Sequence, residues 1–420
     1  NTLTLTINGT NDIPTVGAAA ASIIEDAATV IGKLPTPVDP DLHDVVSFIP
    51  QTAALGLYGT FTVDASGNYT YALNNALPAV QGLGVGEKLT DTFTFRVSDG
   101  HGGTASNTLT VTINGANDAP VLTAAAASIF EDAIGVSGKL PAPVDPDLHD
   151  VVSFVPQIAA VGLYGTLSID AGGNYTYTLN NALPAVQGLG VGEKLTDTFT
   201  FTALDNHGGT ASNTLTLTIN GTNDIPTVGA ATTAIFEDTA TVTGKLPTPV
   251  DADIHDTLAF IAQTNASGLY GTLTLDASGN YTYVLNNALP AVQGLGVGEK
   301  LTDTFSFTVS DGHGGTVSNT LTLTINGTND IPTVGAATAV IAEDAVSVSG
   351  TLPVPVDVDV HDVLAFLPQA GTTGLYGTLT VDASGNYTYI LNNALPAVQG
   401  LGVGEKLTDT FSFTVSDGHG

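Results

Sequence analysis

The sequence of 420 residues has no cysteine, no methionine and no tryptophan, and only 8 of its residues are lysine or arginine. Without cysteine there can be no disulfide bond, thiolate metal site or catalytic thiol. With so few basic residues the chain has little to replace the counterions of a phosphate backbone, so nucleic acid is not an expected partner. No charge-free apolar run approaches the ~18 residues of a membrane-spanning helix, so membrane insertion is not expected either.

The residues that are plentiful are those of β-strands. Apolar residues make up 43% of the chain, with 15 Phe, 12 Tyr and many Val, Ile and Thr, and β-branched and aromatic residues favour strands. A disordered acidic tail has few of either. The 40 aspartate and glutamate residues and the net charge of −32 therefore belong to folded domains, whose surfaces attract cations.

The sequence repeats itself four times with a constant period. The phrase Asn-Asn-Ala-Leu-Pro-Ala-Val-Gln recurs every 106 residues, at Asn74, Asn180, Asn286 and Asn392. A period of this length is a whole domain rather than one unit of a solenoid. The boundaries fall at Asn-Asp-x-Pro, where proline makes the linker short and stiff. The predicted domains, called repeats 1 to 4 below, are residues 12–117, 118–223, 224–329 and 330–420, preceded by 1–11 as the last strand of an earlier repeat.

Alternation of apolar and polar residues predicts the strands of each repeat. In Thr92–Val97, for example, Phe93 and Phe95 share one face with Val97. The stretch Leu77–Gln81 suits one helical turn. Seven strands per repeat, each with an apolar face, predict an all-β fold: a tandem array of immunoglobulin-type β-sandwich domains forming an extended rod. In repeat 1 the predicted strands lie near Thr15–Ile24, Thr29–Leu34, Val45–Pro50, Phe61–Val63, Tyr69–Tyr71, Thr92–Val97 and Leu109–Ile113.

Each repeat carries ten acidic residues at equivalent positions, and threading the strands up and down collects most of them where repeats meet. Two like charges ~5 Å apart cost ~3 kcal/mol at an effective dielectric of ~20. Calcium, a hard cation that takes about 6–8 oxygen ligands, removes this conflict. The predicted calcium ligands are Asp12, Glu25, Asp26, Asp39, Asp41, Asp44, Asp99, Asn117, Asp118, Glu131, Asp132, Asp145, Asp147, Asp150, Asp205, Asn223, Asp224, Glu237, Asp238, Asp251, Asp253, Asp256, Asp311, Asn329, Asp330, Glu343, Asp344, Asp357, Asp359, Asp362 and Asp417.

The other acidic residues and the histidines leave alternatives open. Asp64 and Asp91 are expected to be ordinary turn formers, whereas Glu87 suits a turn and a metal site equally well. If their two loops touch, His43 and His101 with one carboxylate would suit zinc or iron. The surrounding aspartates favour a hard cation over that catalytic interpretation, so the chain is not expected to be an enzyme.

The chain resembles the VCBS repeat of giant bacterial adhesins of the RTX type, and the resemblance covers essentially the whole chain four times. It implies cadherin-like sandwiches with calcium between them, type I secretion and a spacer or adhesion role. The acidic loop Asp39-x-Asp41-x-x-Asp44 also matches the pattern of that family. The residues that carry the resemblance in repeat 1 are Leu57-Tyr58-Gly59-Thr60, Asp64–Tyr71, Ala79-Val80-Gln81, Gly86–Phe93, Val97–Gly100 and Ile113–Asp118.

The expected function is therefore that of a calcium-stabilised spacer in a secreted or cell-surface adhesin or fibre, serving cell adhesion or a biofilm matrix, with neighbouring repeats as its partners. One alternative is a carbohydrate-binding module with a surface or glycan ligand, although such modules use exposed aromatics and the chain has no Trp. Another is a filament of identical subunits joined head-to-tail. Asn1–Thr10 matches a last strand, which repeat 4 lacks, so one subunit could donate it to the next; a window cut from a longer array is the simpler explanation.

Overall fold

The computed structural model describes all 420 residues, and nearly all of its regular structure is β-strand. The chain forms two compact units, Asn1–Thr222 and Asn223–Gly420, and each unit holds two of the predicted repeats. The helices are single turns, and none is long enough to cross a membrane. They are α1 (Pro78–Gln81), α2 (Pro184–Gln187), α3 (Pro290–Gln293) and α4 (Pro396–Gln399).

The first unit contains eight strands from each of its two repeats, at equivalent positions in both. In repeat 1 they are β1 (Ala19–Ile24), β2 (Thr29–Lys33), β3 (Ser47–Phe48), β4 (Gln51–Leu55), β5 (Gly59–Val63), β6 (Asn68–Leu73), β7 (Lys88–Ser98) and β8 (Thr104–Asn114). In repeat 2 they are β9 (Ala125–Phe130), β10 (Gly135–Lys139), β11 (Ser153–Phe154), β12 (Gln157–Val161), β13 (Gly165–Ile169), β14 (Asn174–Leu179), β15 (Lys194–Leu204) and β16 (Thr210–Asn220).

The second unit contains eight strands from repeat 3 and six from repeat 4. In repeat 3 they are β17 (Ala231–Phe236), β18 (Thr241–Lys245), β19 (Ala259–Phe260), β20 (Gln263–Ser267), β21 (Gly271–Leu275), β22 (Asn280–Leu285), β23 (Lys300–Ser310) and β24 (Thr316–Asn326). In repeat 4 they are β25 (Ser347–Thr351), β26 (Ala365–Phe366), β27 (Gln369–Thr373), β28 (Gly377–Val381), β29 (Asn386–Leu391) and β30 (Val415–Ser416).

The strands of repeat 1 form two four-stranded sheets, in the orders β1-β8-β7-β3 and β2-β6-β5-β4. β1 and β8 pair in parallel, and the other pairs are antiparallel. Repeats 2 and 3 contain the same two sheets, and each of these three repeats has its own apolar core. The structure confirms the predicted all-β array of sandwiches, with eight strands in a complete repeat instead of seven.

The additional strand, β4, appears where the chain passes from one sheet to the other. Of the predicted strand Val45–Pro50, only Ser47–Phe48 forms a strand, which is β3. The next strand, β4, belongs to the second sheet. A β-bulge shifts the register of β4 between Gln51 and Ala54, and Ala53 in the bulge adopts a φ of 50°. Such a bulge breaks the period of two by which strands are predicted. The equivalent residues with positive φ are Ala159, Asn265 and Gly371.

The alternation predicted for β7 is confirmed. Phe93, Phe95 and Val97 are at most 5% exposed, and each such burial contributes roughly 1.5–3 kcal/mol. The predicted helical turn is present as α1, with Pro78 in its first turn and Val80 buried. Proline suits that position because its missing N–H has no partner there in any helix.

The prediction that Asp91 is an ordinary turn residue is wrong. Asp91 lies within β7 and is 1% exposed. Its carboxylate accepts hydrogen bonds from the N–H groups of Leu57 and Tyr58, at 3.0 and 3.1 Å, and from the Tyr71 hydroxyl at 3.2 Å. Burial, together with the charge of Asp91, raises the pKa of Tyr71, so the phenol remains a donor. Asp91 thus ties the loop before β5 to the core.

The prediction for Asp64 is confirmed, because its carboxylate closes the turn between β5 and β6. It accepts hydrogen bonds from the side-chain amide and the N–H of Asn68 and from the N–H of Ser66. These bonds, that of the Asn68 side chain first, lower the pKa of Asp64. Asp64 therefore acts within its own turn.

Repeat 4 and the first residues of the chain depart from the pattern. One sheet of repeat 4 has all four strands, whereas the other is reduced to the short pair β26 and β30. The positions equivalent to β24 lie beyond the 420 residues of the sequence. Asn1–Thr10 forms no strand, and its three large apolar residues, Leu3, Leu5 and Ile7, are at least 81% exposed.

Candidate metal centres

The acidic residues between repeats 1 and 2 come from four elements. Glu25 and Asp26 follow β1, and the linker pair Asn117-Asp118 follows β8. The acidic loop 145–150 lies between β10 and β11, and Asp205 follows β15. Hydrogen bonds and mutual charge effects connect these groups. The structure thus brings together one predicted set, called junction 1–2 below: Glu25, Asp26, Asn117, Asp118, Asp145, Asp147, Asp150 and Asp205.

Backbone N–H groups hold one oxygen of the central carboxylates in place. The N–H of Ala116 donates to Glu25 Oε1 at 2.6 Å, which binds the end of β1 to the linker. The N–H of Asp118 donates to Asp147 Oδ2 at 2.9 Å, which binds the linker to the loop of the next repeat. The linker therefore fixes carboxylates from both repeats.

The opposite oxygens of the same groups are buried and have no hydrogen-bond partner. This is true of Glu25 Oε2 and Asp147 Oδ1, and also of Asp145 Oδ2 and Asn117 Oδ1. The side chains of Glu25 and Asp147 are only 1% and 2% exposed. A buried polar atom without a partner costs about 1–3 kcal/mol, and more if it is charged. The oxygens of an ionised carboxylate and of an amide can only accept, so a cation is the partner that suits them.

Burial and mutual repulsion raise the pKa values of several carboxyl groups in junction 1–2. Burial, followed by the charges of Asp147 and Asp118, raises the pKa of Glu25 to about 7. Burial is also the chief reason why the pKa values of Asp118, Asp145 and Asp147 are raised. A divalent cation opposes both effects because it favours the charged carboxylates.

Asp205 differs from Asp118, Asp145 and Asp147 in that its pKa is lowered. Burial alone would raise its pKa, but hydrogen bonds outweigh burial and lower it. The donors are the side-chain amide of Asn117, at 3.0 Å from Oδ2, and the N–H groups of His207 and Gly209, at 2.8 and 3.0 Å from Oδ1. Asp205 therefore stays charged at neutral pH and adds a fixed negative charge to the cluster.

Each repeat also contains three carboxylates whose ligand oxygens lie within 4.8 Å of one another. The groups of repeats 1, 3 and 4 combine two aspartates of the acidic loop with the aspartate that follows β7, β23 or β30, whereas the group of repeat 2 lies wholly in the loop. They consist only of carboxylates, the oxygen ligands that calcium prefers. They are Asp39, Asp44 and Asp99; Asp145, Asp147 and Asp150; Asp251, Asp256 and Asp311; and Asp357, Asp362 and Asp417.

The second unit repeats the geometry of junction 1–2 between repeats 3 and 4. The N–H of Thr328 donates to Glu237 Oε1 at 2.6 Å, and that of Asp330 donates to Asp359 Oδ2 at 2.9 Å. Glu237 Oε2, Asp357 Oδ2 and Asp359 Oδ1 are again buried without a partner. Burial is again the chief cause that raises the pKa of Glu237 and of Asp359. This set, called junction 3–4 below, is Glu237, Asp238, Asn329, Asp330, Asp357, Asp359, Asp362 and Asp417.

The acidic loop of repeat 1 has the same connection to the linker that precedes it. The N–H of Asp12 donates to Asp41 Oδ2 at 2.7 Å, and the N–H of Asp41 donates to Asp39 Oδ1 at 2.9 Å. The side-chain amide of Asn11 donates to Asp99 Oδ2 at 3.0 Å. Asp41 is partly exposed, whereas its counterpart in junction 1–2 is buried.

The remaining predicted ligands occupy equivalent positions within their own units. In the first unit, the N–H of Thr222 donates to Glu131 Oε1 at 2.7 Å. In the second unit, the N–H of Asp224 donates to Asp253 Oδ2 at 2.8 Å. The others at such positions are Asp132, Asn223, Asp251, Asp256 and Asp311. Glu343 and Asp344 occupy the equivalent positions in repeat 4, where Glu343 Oε2 is again buried without a hydrogen-bond partner.

Each histidine of repeat 2 lies beside one carboxylate. Nδ1 of His207 lies 3.0 Å from Asp150 Oδ2, and this hydrogen bond is the main cause that raises the pKa of His207. His149, the counterpart of His43, lies 2.9 Å from Glu87 of the preceding repeat. The two histidines of repeat 2 thus pair with different carboxylates, and in repeat 1 Nδ1 of His101 lies 3.2 Å from Asp44 Oδ2.

Gln81 and Gly84, which the sequence pattern does not mark as ligands, also contact residues of junction 1–2. The side-chain amide of Gln81 donates to Asp26 Oδ1 at 3.1 Å. A Cβ atom at Gly84 would touch Asp147 and Asp150 of the next repeat, so glycine permits the close approach of the acidic loop. The unchanged recurrence of the segment 81–87 in all four repeats is the signal that points to it.

Comparison with known proteins agrees with this architecture. A family model described as the bacterial cadherin-like domain matches residues 11–115, 117–221, 223–327 and 329–420. The extracellular cadherin domains 1–5 of protocadherin gamma B2 align with a TM-score of 0.53 and 13% identity, over 91% of this chain and 74% of that chain. Domains EC22–24 of mouse cadherin-23 align with a TM-score of 0.45 and 15% identity, over 76% of this chain and 99% of that chain.

A relative with detectable sequence similarity is the calcium-binding lectin RapA2 of Rhizobium johnstonii. It is 28% identical over 190 residues, which are 41% of this chain and 76% of the relative. The family match, in contrast, extends over all four repeats, and the structural alignment with protocadherin gamma B2 shows that the repeats share the cadherin fold. The chain therefore belongs to the bacterial cadherin-like domain family.

Proposed function

We infer that this chain is a calcium-binding structural segment of an adhesion protein, in which ions between repeats hold neighbouring sandwiches together. The observation that carries this inference is a pair of buried carboxylate oxygens without partners, Glu25 Oε2 and Asp147 Oδ1. They belong to different repeats and to one junction. Their counterparts in Glu237 and Asp359 have the same property. An ion that binds both members of a pair connects two repeats directly.

Calcium suits this donor set better than other common cations do. Junction 1–2 offers seven carboxylates and the amide oxygen of Asn117, and calcium takes about 6–8 such oxygens in a flexible arrangement. Magnesium demands a stricter octahedron and keeps several waters. Zinc favours histidine nitrogen and cysteine sulfur, and the chain has no cysteine.

The family and the lectin relative support an adhesion-related structural role. The finer function that we propose is a spacer in a secreted or cell-surface adhesin of the RTX type with VCBS repeats, in cell adhesion or a biofilm matrix. Extracellular modules bind calcium with dissociation constants of about 10⁻⁴–10⁻³ M. Such sites fill outside the cell and empty at cytosolic calcium levels, which suits a chain that stiffens after secretion.

Calcium titration of the intact chain tests the metal assignment. With a dissociation constant of ~10⁻⁴ M, calcium at ~1 mM adds ~1.4 kcal/mol per site, so several sites should raise the melting temperature clearly. The double substitution Asp145→Asn with Asp147→Asn should remove the contribution of junction 1–2. Asp170→Asn is the matched control, because Asp170 lies in a turn of the same repeat and bonds only within it.

The stability of each sandwich must be separated from that of the junction. Amide hydrogen exchange of β15 and β16 should be unchanged by the double substitution, while exchange in the linker at 115–119 should become faster. If calcium and chelator give the same melting curve, the metal assignment is wrong.

A second candidate function is carbohydrate binding, and the lectin relative is the observation that favours it. The tyrosines argue against a stacking platform, because Tyr69 and Tyr71 and their counterparts in repeats 2 and 3 are buried. Sugar recognition would then depend on bound calcium. A glycan array probed with and without calcium tests this function, and binding that survives chelation would separate it from the metal sites.

A further inference from the structure

The first and last strands of a complete repeat pair in the same way three times. β1 pairs with β8, β9 with β16, and β17 with β24, each in parallel and each over six residue pairs. Every other strand pair in these repeats is antiparallel. The one parallel pair is therefore also the pair that joins the chain entering a repeat to the chain leaving it.

The direction of the two strands determines how they respond to tension along the chain. The linker at Asn11–Pro14 leads into β1, and the next linker leaves the end of β8 at Asn114. Ala19 lies opposite Leu109, and Ile24 lies opposite Asn114. A pull on the two linkers thus draws β1 towards its start and β8 towards its end. The strands slide past each other, and all of the hydrogen bonds between them carry the load at once.

Side-chain hydrogen bonds reinforce both ends of this pair. The side-chain amide of Asn107 donates to the carbonyl of Val16 at 2.8 Å, before β1 begins. At the other end, the side-chain amide of Asn114 donates to the carbonyl of Ile23 at 3.3 Å, and Glu25 accepts from the linker. The same bonds recur in repeats 2 and 3. Rupture of the pair therefore requires more than the loss of the backbone ladder.

The core also resists sliding. Ile23 of β1 and Leu109 and Ile113 of β8 are at most 5% exposed, so water does not reach the apolar side of the paired strands. Displacement by one residue would turn the inward side chains of a strand outward, because side chains alternate between its two faces. The pair must separate fully before the repeat can lengthen.

We propose that the parallel pair of the first and last strands is a force-bearing clamp, and that each complete repeat carries tension along the chain through it. This goes beyond the calcium sites, because the clamp consists of backbone pairing, amide side chains and core packing. Repeat 4 provides an internal contrast, since residues 337–342, the counterpart of β17, form no strand in this structure. Repeat 4 should therefore yield at low force.

Pulling the intact chain by its two ends in a single-molecule instrument tests the clamp. Repeats 1 to 3 should give three unfolding events at similar high force, each releasing a repeat of 106 residues, or about 35 nm of fully extended chain. Repeat 4 should lengthen first, at clearly lower force. The proposal is overturned if all four repeats yield at one force.

A second pulling direction separates the clamp from general stability. Because the chain has no cysteine, Ala20→Cys with Thr92→Cys provides two unique attachment points. Both residues are exposed, and they flank Thr110 of β8 in one row of the sheet. Force between them acts across the strands, so hydrogen bonds break one after another, and repeat 1 should unfold at a force several-fold below that of end-to-end pulling. Equal forces in the two directions would refute the clamp.

The calcium proposal and the clamp can fail independently. The difference between the two pulling directions should persist in chelator, because it depends on topology. A dependence of melting on calcium without any directional difference would leave the metal sites standing and remove the clamp. A difference between the two pulling directions without any effect of calcium on melting would support the clamp and remove the metal sites.

Discussion

Lys300–Ser310 in repeat 3 and Lys406–Ser416 in repeat 4 have the same eleven-residue sequence but different structures. The first forms β23 over its whole length, whereas only the last two residues of the second form a strand, β30. Phe305 and Phe307 of β23 are at most 5% exposed, but their counterparts in repeat 4 are only partly buried. The difference shows that alternation and strand propensity do not suffice, because an identical segment needs a partner strand to become one.

The same comparison shows that the two sheets of a repeat are separable. β24 pairs with β23 on one side and β17 on the other. Without its counterpart in repeat 4, the segment equivalent to β17 forms no strand and the segment equivalent to β23 keeps only β30. The other sheet keeps all four strands, with the order β25-β29-β28-β27. An open groove of about 860 Å³ remains, lined by apolar residues that include Leu379, Tyr389 and Phe411. The last strand thus organises half of the sandwich.

The largest expected effect comes from making repeat 3 resemble repeat 4. Leu323→Asp places a charge at a position of β24 that is fully buried, which should cost about 4 kcal/mol or more. Amide hydrogen exchange in Lys300–Ser310 should then approach that of the identical segment in repeat 4. Thr320→Asp, on the exposed face of the same strand, is the control and should leave exchange unchanged.

The converse experiment supplies repeat 4 with the strand that it lacks. A synthetic peptide with the sequence of Thr316–Asn326 should bind the groove, because it offers both ladder hydrogen bonds and the inward side chains of β24. Exchange in Lys406–Ser416 should slow markedly, and that in Lys300–Ser310 should stay the same. A peptide with Leu321→Thr and Leu323→Thr keeps the strand propensity and loses the apolar face, so it should not protect the segment.

Asn1–Thr10 of one 420-residue chain should likewise pair with repeat 4 of a second chain, but more weakly than the synthetic peptide does. Asn1–Thr10 is identical to Asn319–Thr328, so it can pair with repeat 4 of a second molecule as β24 pairs with β23. Sedimentation at rising concentration should show head-to-tail association, which a heterologous contact leaves open-ended. Deletion of Asn1–Thr10 should abolish it. An intact chain that stays monomeric at high concentration would rule out strand donation.

The smallest expected effect concerns Glu237 and its counterpart Glu343, which is more exposed. Burial is the first cause of the raised pKa of Glu237 in the folded chain. Its protonation therefore favours folding below the unfolded pKa of ~4.3, and this contribution is lost as pH rises through the folded pKa. In chelator, Glu237→Gln should raise the melting temperature at pH 8 and change little at pH 4.

Calcium should reverse the sign of that effect at pH 8, because the substitution removes a ligand from junction 3–4. Glu343→Gln should have a smaller effect in both conditions, since Glu343 is more exposed than Glu237. Thermal melts of both variants, with and without calcium, provide the measurement. A stabilised Glu237→Gln variant in saturating calcium would contradict the assignment of Glu237 as a ligand.

Much of this architecture can be predicted from the sequence because it depends on local periodicity. Alternation predicts strands such as β7, and the recurring phrase predicts the repeats. Counting strand directions predicts that Glu25 and Asp147 meet, since each strand reverses the course of the chain. The assignment of calcium to them stays a prediction.

The features that escape prediction depend on contacts between distant residues. The bulge of β4 hides its alternation. Asp91 occupies an inward position of β7, with the same parity as Phe93 and Phe95, and that parity could have shown its burial. Only the folded structure shows how a buried carboxylate is tolerated there, because the N–H groups that donate to Asp91 lie more than 30 residues away, at Leu57 and Tyr58.

The bulge at Ala53 and its equivalents has a consequence for how such chains coexist. β4 is an outer strand of its sheet, and an outer strand with free hydrogen-bonding groups can pair with the edge of a near-identical sheet. A bulge twists the edge and interrupts its row of free hydrogen-bonding groups. Because it recurs in all four repeats, with a positive φ each time, each of these outer strands is a poor template for edge-to-edge pairing, although the exposed Leu55 and Leu57 lie beside the bulge in repeat 1.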